Sequence, residues 1–110
     1  MKSRVFAVHP VREDISAAFQ YGEIYYINKS YVYPDQLVGE DQELPAPVTD
    51  ALDAAADEFN HETDYFLIIG DHLQLMEFSV CLAAVKPYFK VLRFDRQAAG
   101  YVPVKLLGLS

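Results

Sequence analysis

The stretch Asp64–Lys86, DYFLIIGDHLQLMEFSVCLAAVK, restricts the fold of this chain more than any other. A continuous apolar run ends at Gly70-Asp71, and a long apolar segment follows at once. Unbroken apolarity over a short β-rich run predicts a strand covered on both faces, as in a parallel sheet. Parallel strands need a crossover connection, and Leu73–Val85, stopped by Pro87, supplies a helix for it. Asp71 is the natural N-cap of that helix. The centre of the chain is thus a buried strand, a tight turn and a crossover helix.

The flanking segments extend this plan. Arg4–His9, RVFAVH, is a short apolar run bounded by Pro10 and predicts the first strand. VREDISAAFQYG then predicts a short helix or helical turn closed by Gly22. Asp14 or Ser16 would cap it, with Ile15, Ala18 and Phe19 on one face. Glu23–Asn28, EIYYIN, is a second strand of β-branched and aromatic residues. Ser30–Pro47, with three prolines and the acidic run GEDQE, predicts an irregular acidic loop over about residues 30–47. Pro47 suits a helix start, and Leu52, Ala55, Ala56 and Phe59 form the apolar stripe of the helix that follows. Asp57 and Glu58 in its last turn oppose the helix dipole and predict fraying there. Tyr88–Asp95 and Tyr101–Leu107 predict an antiparallel hairpin, with Pro103 favouring an edge position for the last strand.

Strands alternating with helices and a terminal hairpin predict one α/β domain over residues 1–110. It has three layers, with a mostly parallel sheet of four or five strands and helices on both faces. The expected strand order is 2-1-3-4-5, parallel except for the last strand. The chain has 110 residues, 52% of them hydrophobic, which is ample for a core without disulfides.

Charge narrows the function classes. The net charge of −7 with nine scattered Lys and Arg argues against binding nucleic acid or an anionic membrane surface. No apolar run reaches the roughly 20 residues that span a bilayer. The start MKSRVF has no long apolar core of a signal peptide, so an intracellular, cytoplasmic protein is expected. Cys81, the single cysteine, lies in the apolar helix and reads as a small buried hydrophobe rather than a reactive thiol.

Taken together, RVFAVHP, ISAAFQYGEIYYIN, DYFLIIGD with its apolar helix, and FKVLRFDRQAAGYVPVKL resemble a family of small proteins encoded by bacteriophages and prophages. The chain departs from that pattern by a longer acidic loop between Asn28 and Thr49. The resemblance implies an accessory protein working in the host cytoplasm. It brings no catalytic residue with it.

Ligands of open α/β sheets sit outside the carboxyl ends of the strands, where strand order reverses. In the expected order that point joins the exits of the first strand and of the organising strand. His9, Arg12, Gly70, Asp71 and His72 are therefore the candidate ligand-binding residues. A helix N-terminus and Arg12 would favour an anion there, although Asp71 competes as a cap. The sequence contains none of the patterns GxGxxG, GxxxxGK[ST], CxxC, HExxH or GxSxG, so no cofactor and no metal are expected. Eight tyrosines, five of them clustered from Tyr21 to Tyr33, suggest a contact surface; Tyr25, Tyr31, Tyr33 and Tyr101 are the interface candidates. Three readings follow: a non-enzymatic protein that binds itself or a host partner, a small-ligand or nucleotide-binding domain with hydrolysis as an option at the same site, and an acidic DNA mimic.

Overall fold

The computed structural model describes residues 3–110; Met1 and Lys2, which open the start discussed above, lie outside the described residues. Five strands form one sheet: β1 (Arg4–Ala7), β2 (Glu23–Tyr26), β3 (Tyr65–Leu67), β4 (Tyr88–Asp95) and β5 (Gly100–Leu107). Their order is β2-β1-β3-β4-β5. All pairings are parallel except β4 with β5. Both the order and the terminal hairpin match the expectation from sequence. Two α-helices, α1 (Ala46–Glu58) and α2 (His72–Val85), complete the regular elements with 3₁₀ turns at Ser16–Tyr21 and Pro34–Gln36.

Register explains the core. Tyr25, Phe6, Phe66, Val91 and Val104 are successive partners across the whole sheet. Directly paired residues share a face, so this row points at the helices. There Phe6, Phe66 and Val91 pack with Leu52, Phe59, Phe78 and Leu82 of the helical segments. The alternate row places Val5, Ala7, Leu67 and Leu92 on the opposite face, under Ile15 and Ala18. Both faces of the central strands are covered, which is why their sequences are apolar without alternation. The two coverings are unequal: both α-helices share one face, and the other carries the 3₁₀ turn Ser16–Tyr21.

Several boundaries shift for local reasons. The third strand is shorter than its apolar run because Ile68 and Ile69 leave the ladder. Ile68 N–H still donates to the Leu92 carbonyl (3.1 Å), but Ile69 N–H turns back to Leu67 (3.1 Å). Gly70 follows at φ 122°, a backbone region that disfavours side chains. The α1 end expected to fray is instead held: the Arg4 guanidinium donates to the Glu58 carbonyl (3.1 Å) and lies 3.7 Å from its carboxylate. At the far end of α2, Leu109 N–H and the Ser110 hydroxyl donate to the carbonyls of Ala83 and Ala84, each at 2.7 Å. The chain's own tail thus satisfies carbonyls that a helix end leaves open.

Tyr101 is a correction. Read as an interface residue, it is 5% exposed and belongs to the core of the second face. Its ring packs edge-on against Phe94 at 5.5 Å, and its carbonyl accepts from the Tyr21 hydroxyl at 2.9 Å. Burial raises its phenol pKa, with Glu13 and Asp14 adding to the shift. No helix among the described residues is long and apolar enough to cross a membrane.

Candidate functional site

The strand exits meet in a buried polar network. The Asp71 carboxylate accepts from the Leu73 amide (3.0 Å) through one oxygen, capping α2. Its other oxygen accepts from the Val32 amide (3.0 Å) and the Gln74 side chain (3.2 Å). Gln74, fully buried, also donates to the Ser30 carbonyl (3.1 Å) and accepts from the Asn28 amide group (3.1 Å). The loop after β2 is therefore tied to the start of α2.

His9 joins the same network. Its Nε2 accepts from the Asp71 amide (2.9 Å), and its Nδ1 lies 2.7 Å from the Pro10 carbonyl. A carbonyl only accepts, so Nδ1 carries the proton and the ring is held in one neutral tautomer. Gly70 is needed beneath it: a Cβ there would lie 3.0 Å from both His9 Nε2 and a Val8 methyl carbon. His9 and Asp71 are consumed by structure.

Beside the network lies an open cleft of about 500 Å³. His9, Arg12 and Gly70 line it, with Lys29, Tyr31 and Tyr33 from the loop after β2. Of the five ligand candidates, the structure brings these first three together. Asp71 is buried behind them as a cap. His72 faces elsewhere, into a groove with Ile68, Leu75, Met76 and Ser79. Lys29 escaped the sequence reading; its signal was its place just past β2, as Arg12 stands just past β1. Arg12 and Lys29 have no ion-pair partner among the described residues.

The tyrosine candidates divide likewise. Tyr31 and Tyr33 are exposed and pack against each other at 5.1 Å on the cleft rim, and Tyr31 meets the His9 ring edge at 6.1 Å. Tyr25 leans on Phe6 at 5.0 Å along the β2 edge, partly exposed. No group of His, Cys and carboxylate side chains that could hold a metal occurs among the described residues.

A second surface stands out on α2. Leu73, Met76 and Val80 are 45%, 64% and 65% exposed, although the helix also buries Leu75, Phe78 and Leu82. With Ala83 they follow the 3-4-3 spacing of a helix-pairing seam. Cys81, on the side facing α1, donates its thiol to the Asp53 carboxylate at 3.0 Å. Partial burial and that carboxylate push the thiol up to about 12. A raised thiol pKa means less thiolate near neutrality, so iodoacetamide alkylation at pH 8 should run at least about a hundredfold slower than for an exposed cysteine. A rate equal to that of the urea-unfolded chain would contradict the placement of Cys81.

These features define a small α/β domain with a cationic, tyrosine-rimmed cleft at the carboxyl end of its sheet and an uncovered apolar helix face. The chain matches, over residues 2–107, the family model described as Phage Pam3 gp32-like protein. It belongs to that family, and the resemblance to small phage proteins holds. No curated protein and no solved structure matches it.

Proposed function

We propose that this phage protein acts by association rather than by chemistry, in the cytoplasm of an infected cell, and that a second copy of the chain covers α2. The observation that carries this reading is the apolar character of α2 on its exposed side as well as its buried side. A helix apolar all round is normally covered in its working state, and a long exposed apolar strip marks a contact surface.

Charge favours a second copy as the occupant. Asp50, Asp53, Asp57 and Glu58 stand on α1 rather than on the seam, and Asp53 is engaged by the Cys81 thiol. Within α2 itself Glu77 is the one carboxylate. Two copies can therefore approach through α2 without opposing their main negative charge. An antiparallel pair would set Leu73 against Ala83 and Met76 against Val80 of the other copy, with the helix dipoles opposed.

Met76→Asp and Val80→Asp should each convert a dimer to a monomer, read as a halved mass by light scattering. Phe19→Asp, at an exposed position on the opposite face, should leave the mass unchanged. A wild-type chain that stays monomeric at high concentration would overturn the reading. The acidic-mimic alternative gains less support, because its carboxylates are divided. Glu13 sits in the loop between β1 and the 3₁₀ turn Ser16–Tyr21, Glu23 begins β2, and Asp50, Asp53 and Asp57 lie on α1.

A further inference from the structure

We infer that the cleft between the loops after β1 and β2 is a binding site for a nucleoside monophosphate. Three independent features point to an anion joined to a flat ring. The first is position: the cleft opens at the carboxyl ends of the strands, the end at which α/β sheets take ligands, and Gly70 brings it to the edge of the β1–β3 point where strand order reverses. Its volume of about 500 Å³ falls within the range of small-molecule sites.

The second is charge. Arg12 and Lys29 line the cleft, and neither is neutralised by an ion pair among the described residues. In a chain of net charge −7, two unpaired cations on facing loops stand against the general field. Glu13 is the one carboxylate of the lining, so two cations leave one net positive charge. That balance suits a phosphate monoester and disfavours a triphosphate.

The third is the rim. Tyr31 and Tyr33 expose their rings and brace each other, and aromatic faces of this kind stack flat bases. The rim is also anchored: Val32 between the two tyrosines donates its amide to Asp71, and Ser30 accepts from Gln74. The rings are thus presented by backbone that the buried network fixes, so little ordering cost falls on the ligand. With both ring nitrogens of His9 engaged, that imidazole serves the site as a fixed wall and leaves the phosphate to Arg12 and Lys29.

The test is calorimetric titration of the intact chain with AMP, GMP, CMP and UMP separately, alongside inorganic phosphate and ATP. At least one monophosphate should bind more tightly than inorganic phosphate, and ATP should not exceed it. Arg12→Ala and Lys29→Ala should each weaken that binding about tenfold or more. Tyr31→Ala should weaken it about five- to tenfold while leaving the affinity for inorganic phosphate unchanged. All three side chains are exposed, so circular dichroism should show these variants folded. The proposal is overturned if none of the four monophosphates binds at millimolar concentration. It is equally overturned if the Arg12→Ala/Lys29→Ala double variant binds as wild type, or if inorganic phosphate binds as tightly as every monophosphate. A triphosphate bound more than about tenfold tighter would contradict the charge argument.

Discussion

Asp71→Ala is expected to lower folding stability by about 3 kcal/mol or more. The substitution removes the α2 cap, worth about 1 kcal/mol. It also strips partners from the buried Val32 amide and from Gln74, each loss costing about 1–3 kcal/mol. The Val32 contact joins residues 39 apart in sequence, so the loop after β2 should loosen along with the helix start. Urea denaturation should show a lower midpoint with an unchanged slope, the mark of lost stability rather than an altered unfolded state. Asp71→Asn separates the two roles. One oxygen can still cap Leu73, but the new amide group would face the Val32 and Gln74 donors. It should therefore recover only part of the loss. A cost below about 1 kcal/mol for Asp71→Ala would mean that the network contributes little.

Phe78→Ala should cost about 3–5 kcal/mol, enough to melt a chain of this size well below its wild-type midpoint. Phe78 is fully buried and, with Leu75 and Leu82, packs α2 against the sheet. Its ring contacts Phe66 at 4.8 Å edge-on, Phe6 at 6.2 Å and Phe59 at 6.3 Å. Truncation would leave a cavity bounded by three aromatic rings from β1, β3 and the end of α1, none of which can close it alone. Phe19→Ala is the control: its ring is mostly exposed, and a change within about 0.5 kcal/mol is expected. Equal effects at the two positions would contradict the packing.

Much of this architecture was legible from residue order. Apolar runs without alternation identified β1 and β3 as covered on both faces, and Gly70-Asp71 identified a turn and a cap. Pro103 pointed to an edge strand, and β5 is one. The cap was predictable because its hydrogen bond spans two residues. Asp71's second oxygen was not, because its partner Val32 arrives through the fold. Gln74 looks like any polar residue on a helix until the sheet places Asn28 and Ser30 beside it.

The enrichment of tyrosine at contact surfaces misled at Tyr101. Its alternation fixes which face it takes, and only the position of Ile15 and Ala18 decides whether that face is covered. The same limit applies to α2. Its composition announces a core helix, yet composition cannot say how many of its sides the rest of the chain reaches. α1 covers one side and the sheet another, and Leu73, Met76 and Val80 remain outside. Lys29 was missed for a related reason: a lone lysine after a strand gains meaning only when the fold brings it into one cleft with Arg12.

In the proposed dimer a second copy packs on the α2 seam. That packing is tested most directly by isotope-filtered NMR on a mixture of labelled and unlabelled chains, which detects contacts between copies alone. The expected result is intermolecular contacts from the Met76 methyl to the Val80 methyls and from Leu73 to Ala83. Intermolecular contacts confined to other surfaces, such as exposed Leu107 on β5, or none at concentrations where the chain is fully folded, would contradict it.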